Sequence, residues 1–284
     1  MRSEPQGGSS FTGNTMSKRR APALDEHDDE ATVRARQKPS MRTSSFLVAA
    51  CLAPLLASCA FSSRAVSLQN YEPIVGAGSF PALEGKRVAI TLLDDKRTGP
   101  DAVKDVPATP DPPGYRYLDI SPAATEKWTA GARAAEASGA QKHLIGCVRN
   151  GFGMRTADVF ALDAPTTWLR ETIERELENQ GATIAEKAET ADITLSMTLR
   201  HLDADLYFTV SCRMVVDVQV ATGGAPKNFT LNVKGSKTAV WGSSWEYYLA
   251  IREAQQKLMW HVLRAMTGSD PPTVPKQTDS DFGG

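Results

Sequence analysis

The stretch from Phe46 to Leu56 reads Phe-Leu-Val-Ala-Ala-Cys-Leu-Ala-Pro-Leu-Leu, an unbroken apolar run preceded by Arg42. A membrane-spanning helix needs about 20 such residues, so this run is too short to cross a bilayer. A basic start followed by about 7–15 apolar residues is the pattern of a secretion signal. The rival reading, a buried core helix, is opposed by Pro54 within the run and by Ser- and Arg-rich flanks. Only the chain beyond the run is expected to fold as a domain.

Small residues and then a cysteine close the run: Leu56-Ala57-Ser58-Cys59. This resembles the bacterial lipobox, in which the thiol is diacylated and the peptide is cut just before it. On this reading 41–58 is a signal peptide and Cys59 is the lipidated first residue of the mature chain. Residues 1–40 are Gly/Ser-rich, then charged at Lys18-Arg19-Arg20 and from Asp25 to Glu30, without apolar periodicity. They read as a disordered leader, either a mis-called start ahead of Met41 or a cytoplasmic extension.

Of the four cysteines, Cys51 falls in the signal and Cys59 carries lipid, leaving Cys147 and Cys212. In an oxidising compartment that pair can bridge. Cys212 is also in phase with Val210 and Met214 on an apolar strand face, which suits a buried free thiol. Spacing alone does not supply the geometry a disulfide needs. Lys and Arg number 32 against 33 Asp and Glu, a net charge of -1, so no basic excess points to nucleic acid.

Residues 59–82 are weakly patterned and read as the lipidated cysteine and a flexible tether. A single domain over 83–268 is expected next, with a polar, disordered tail at 269–284. Its first strand is Lys86 to Leu93, ending at Asp94-Asp95. A proline-rich insertion at 98–139 excludes helix and central strand through its first part, and Glu126 to Ala137 forms a short helix. His143 to Val148 and Arg155 to Leu162 make a hairpin around Asn150-Gly151-Phe152-Gly153. A helix capped by Asp163 runs to Gly181, with Trp168, Leu169, Ile173 and Leu177 on one face. Strands follow at Ile193 to Leu199, Phe208 to Val220 and Phe229 to Val233. Ser243 and Glu246 form a capping box for the last helix, whose apolar stripe is Ile251, Ala254, Leu258, Val262 and Met266. Clean alternation points to antiparallel strands buried on one face. The fold class is therefore α+β, a mainly antiparallel sheet with two amphipathic helices packed on one face.

Chemistry is sparse. His27, His143, His201 and His261 have no partner at metal-ligand spacing, and no Gly-x-Ser-x-Gly elbow, phosphate loop or GxGxxG occurs. No catalytic residue, metal or cofactor is expected. Asp94-Asp95 and Asp203-Ala204-Asp205 are acidic pairs placed at strand ends and turns, where Asp commonly bonds its own backbone. Trp241, Trp245, Tyr247 and Tyr248 are either a partner-binding or sugar-stacking patch or packing beneath the last helix, with packing favoured.

The arrangement resembles the YajG-like outer-membrane lipoproteins. The resemblance is carried by the lipobox, the strand from Val88 to Arg97, Ile145-Gly146 at the hairpin, Leu177-Glu178-Asn179-Gln180-Gly181-Ala182 closing the helix, Ala191-Asp192-Ile193 and the long strand Tyr207 to Val220. It covers about 83–266 and departs at the proline-rich insertion. It implies a periplasm-facing lipoprotein with no assigned catalytic residues. Ala60 after the cysteine, rather than an aspartate that often marks inner-membrane retention, then favours the outer membrane. The expected function is non-enzymatic: a membrane-anchored binding or structural component whose partner is another envelope protein. The alternatives are an auxiliary subunit of an ABC-type envelope transport system, or an envelope hydrolase or sugar-binding module.

Overall fold

Alternating apolar residues carry the two longest strands. β6 (Ile193–Tyr207) and β7 (Thr209–Ala221) form a hairpin, and β8 (Lys227–Thr238) pairs antiparallel with β7. The computed structural model describes residues 62–150, 152–238 and 242–269. The remaining elements are β1 (Arg64–Val66), β2 (Arg87–Asp95), α1 (Pro122–Ala137), β3 (His143–Arg149), β4 (Arg155–Ala161), α2 (Pro165–Asn179), β5 (Thr183–Ile184) and α3 (Ser244–Met266).

The α+β class holds, but the sheet is mixed rather than mainly antiparallel. One edge of β6 pairs with β7, while the other is shared by two parallel neighbours, β2 along its first half and β3 along its second. β1 runs parallel to β4, and β5 parallel to β2. Alternation reports which face is buried, not which way a neighbour runs. Parallel neighbours need long crossovers, and the chain between β2 and β6 supplies one.

In β6 a bulge between Leu199 and His201 resets the alternation. Before it Leu195, Met197 and Leu199 face the core; after it Leu202 and Ala204 do. Asp203 and Asp205 therefore lie within a strand on the opposite face, not in a turn. Where β3 meets β6, Gly146 pairs with Ala204, and a Cβ at Gly146 would stand 1.9 Å from the Ala204 carbonyl oxygen.

α1 is the short helix expected over Glu126 to Ala137, and it starts one turn earlier, at Pro122. Its N-cap Ser121 accepts the Ala124 N–H, and Gly139 at φ +69 follows its end. The stripe of α3 is buried as its spacing requires, and its capping box forms. Asp163 does not cap α2: Ala164 occupies that position, and the Asp163 carboxylate instead accepts from Ser67 Oγ, Leu68 N and Gln69 Nε2.

The described part of the expected tether is built into the domain. Val66, Leu68, Ile74, Val75 and Phe80 are core residues, and Asn70 donates to Gln255 Oε1 at 2.9 Å and to Thr172 Oγ1 at 3.3 Å, linking α3 and α2. The proline-rich segment is a belt. It leaves β2 along β6, where Thr98 N donates to Arg200 O. Arg213 Nη2 then donates to Val103 O at 2.7 Å on the face away from the helices. Thr109 N donates to Asn232 O at the free edge of β8, and the belt continues over the back of α3, where His261 Nε2 meets Pro110 O at 3.0 Å. An open strand edge is thereby partly covered.

Candidate functional site

Of the residues the sequence nominates, Cys59 and Trp241 lie outside the described ones. Trp245, Tyr247 and Tyr248 form no open patch. Tyr247 and Tyr248 are buried, Tyr248 donates to Asn70 Oδ1 at 3.1 Å, and Trp245 stacks on Tyr248 while meeting Trp128 edge-on at 4.8 Å. These rings pack α1 onto α3, and Trp128 Nε1 donates to Ser67 O.

Of the two readings open for Cys147 and Cys212, a bridge or free thiols, the structure has the second: both are free, buried thiols. Cys147 pairs with Asp205 in the β3–β6 register, whereas Cys212 pairs with Ala204, the preceding residue of β6. Adjacent strand residues point to opposite faces, so the two thiols are separated by the sheet itself. Cys147 Sγ lies 3.5 Å from Asp205 Oδ1, and burial with this carboxylate pushes its pKa up to about 11. Burial raises Cys212 as well. Both are held as thiols rather than the nucleophilic thiolate.

The acidic pairs are engaged locally. Asp94 meets Lys96 at 3.1 Å, Asp95 meets Arg97 at 2.9 Å, and Arg149 Nε donates to Asp205 at 2.6 Å. Burial raises the Asp203 carboxyl. Among the described residues no three His, Cys, Asp or Glu converge as a cation cage.

The most enclosed polar chemistry lies beneath the belt. Glu176 of α2, buried, accepts the backbone N–H groups of Ile74 and Val75, and burial pushes its carboxyl up to about 7. Arg252 is 1% exposed, donates to Leu118 O and lies 3.4 Å from Glu72. Gln256 Oε1 accepts from Tyr115 Oη at 2.9 Å. Beside these groups opens a groove of about 260 Å³, walled by Ile74, Val75, Pro113 and Tyr115, with Gln256 and Trp260 also lining it. Its apolar walls and amide suit a small, mostly apolar group. Sequence reasoning missed it because its walls come from segments read as tether and insertion. The available signal was the excess of polar residues on α3, where Arg252, Gln255, Gln256, Lys257 and His261 are all buried.

No family model matches the chain, and no curated protein does. Among solved structures, protein XCC0632 from Xanthomonas campestris, of family DUF330, is 11% identical, with a TM-score of 0.39 over 72% of this chain and 96% of that one. An uncharacterized protein gives 10% identity and a TM-score of 0.34, over 72% and 99%.

Proposed function

We propose that this chain is a lipid-anchored component of the bacterial cell envelope whose α+β domain binds or braces another envelope protein and performs no catalysis. The observation that carries the reading is Leu56-Ala57-Ser58-Cys59 directly behind an apolar run too short to span a bilayer. The folded body supports it by its position. Only two residues, Ala60 and Phe61, separate Cys59 from Ser62, where the described structure begins, so the cysteine lies within about 10 Å of the folded body. Among the described residues no helix is long and apolar enough to cross a membrane. Stable attachment takes two membrane signals, which a multiply acylated cysteine supplies. The YajG-like resemblance and Ala60 favour the outer membrane, with the domain in the periplasm.

Radiolabelled palmitate is the test. Label should be lost in Cys59→Ala and kept in Cys51→Ala; label retained by the Cys59 variant overturns the reading. Crosslinking in intact envelopes then identifies the partner.

A further inference from the structure

Two hairpins end side by side at one end of the sheet. Val148 of β3 pairs with Leu206 of β6, so the β3–β4 turn and the β6–β7 turn project together, and a Cβ at Gly153 would lie 4.0 Å from the Tyr207 ring. The tips carry large apolar side chains in the open: Phe152 is 89% exposed, Phe208 73% and Met154 60%. Tyr207 meets Phe208 edge-on at 4.5 Å.

Phe208 also has φ +64, a backbone conformation no other described non-glycine residue adopts. An aromatic residue held in the left-handed region is strained, and such strain concentrates at functional sites. Here the strain accompanies an aromatic ring at the outermost point of a turn.

The chain arrives from this same end. β1 is parallel to β4, with Arg64 beside Val159, and β4 begins at Arg155 next to the tip. Going backwards from Arg64 therefore leads towards Met154. With only Ala60 and Phe61 between Ser62 and Cys59, the cysteine is within reach of the tips.

We propose that the β3–β4 and β6–β7 tips form a bilayer-contacting edge, which seats Phe152, Met154, Tyr207 and Phe208 in the membrane interface beside the lipid on Cys59. The inference rests on the anchor reading above. Tyr207, an apolar ring with a polar hydroxyl, suits the interface between headgroups and acyl chains, and Phe152, Met154 and Phe208 gain by leaving water for it. Arg149 and Arg155 flank the tips, each paired with an aspartate, Asp205 and Asp158. The contact is therefore apolar in character and does not depend on anionic lipid. It also fixes orientation: the sheet stands upright on the membrane, and the groove, which Trp260 lines towards the far end of α3, is held away from it.

The test uses the lipidated full chain in phosphatidylcholine vesicles. An environment-sensitive fluorophore is placed through Phe152→Cys, Phe208→Cys and, as control, Ile184→Cys near the start of β2, at the opposite end. The native Cys147 and Cys212 are buried. In vesicle-bound protein, emission at 152 and 208 should shift to the blue and be quenched by spin-labelled acyl chains, while 184 reports water. Three water-like spectra overturn the proposal, as does shielding in native envelopes without shielding in pure lipid, which assigns the tips to a protein partner. Palmitate labelling reads the anchor separately, so failure of one is not failure of the other. Phe208→Gly relieves the strained turn; it should raise the melting temperature while reducing quenching at 152. A purely structural role for Phe208 predicts no change at 152.

Discussion

The buried carboxylate of Glu176 on α2 accepts the backbone N–H of Val75 at 3.1 Å, pinning the segment before β2 to the helix layer. Burial raises this carboxyl from 4.5 to about 7, outweighing the two backbone donors that favour its charge.

Between pH 4.5 and 7 the folded protein keeps a proton on Glu176 that the unfolded chain has released. Stability from this group is therefore full below pH 4.5, falls as pH rises through that window and levels off above it, by up to about 3 kcal/mol. His261 works in the other direction because burial lowers its pKa, whereas Asp203 is raised. Comparison with Glu176→Gln isolates the one group. On going from pH 5 to pH 8 the wild type should lose stability relative to the variant, read as the signed change in urea midpoint; an equal change in both removes the assignment.

Periodicity made the helices and most strands legible, since Leu169, Ile173 and Leu177, or Leu195, Met197 and Leu199, repeat at the spacing of the face they bury. Direction was not legible, because Val88 and Ile90 alternate alike beside a parallel or an antiparallel neighbour. The segment from Val66 to Phe80 was missed because its buried side chains follow no period; they are placed by partners in α2 and α3. Prolines kept the belt free of long elements, although a single 3-10 turn forms at Pro100–Val103 and Pro122 starts α1. Yet Arg213 and Asn232, which fix where the belt runs, lie more than a hundred residues downstream. The groove inherits both difficulties, since Ile74, Tyr115 and Trp260 meet only after folding.

The belt should loosen when its polar anchors go. Arg213 bonds Val103 O and Asn232 Oδ1, and Asn232 Nδ2 bonds Val106 O. Arg213→Met keeps the apolar stem and removes the donors to Val103 O and Asn232 Oδ1, a loss of about 1–3 kcal/mol. Trypsin should then cut sooner after the exposed Lys104 while the helices stay intact. Unchanged cleavage there means the belt is held elsewhere.

Gly146→Ala should be among the most damaging single-methyl additions. The added carbon meets the Ala204 carbonyl oxygen and nitrogen, which are backbone and cannot rotate aside. β3 must then separate from β6, at a cost at or above the ~1–3 kcal/mol usual for overpacking. Amide exchange should accelerate at Cys147 and Val148; native protection at those amides contradicts the close approach.

The two thiols give a test of topology that needs no variant. A bridge between Cys147 and Cys212 would close a loop of about 65 residues and typically contribute 2–4 kcal/mol by restricting the unfolded chain. Since β6 stands between them and they point to opposite faces, reducing agent should leave the melting temperature unchanged. Folded protein at pH 8 should react slowly with a thiol reagent, because burial keeps both protonated and shields them, and unfolding should release both at once. A melting temperature lowered by reductant would mean the strands had paired in a different register around Ala204 and Asp205.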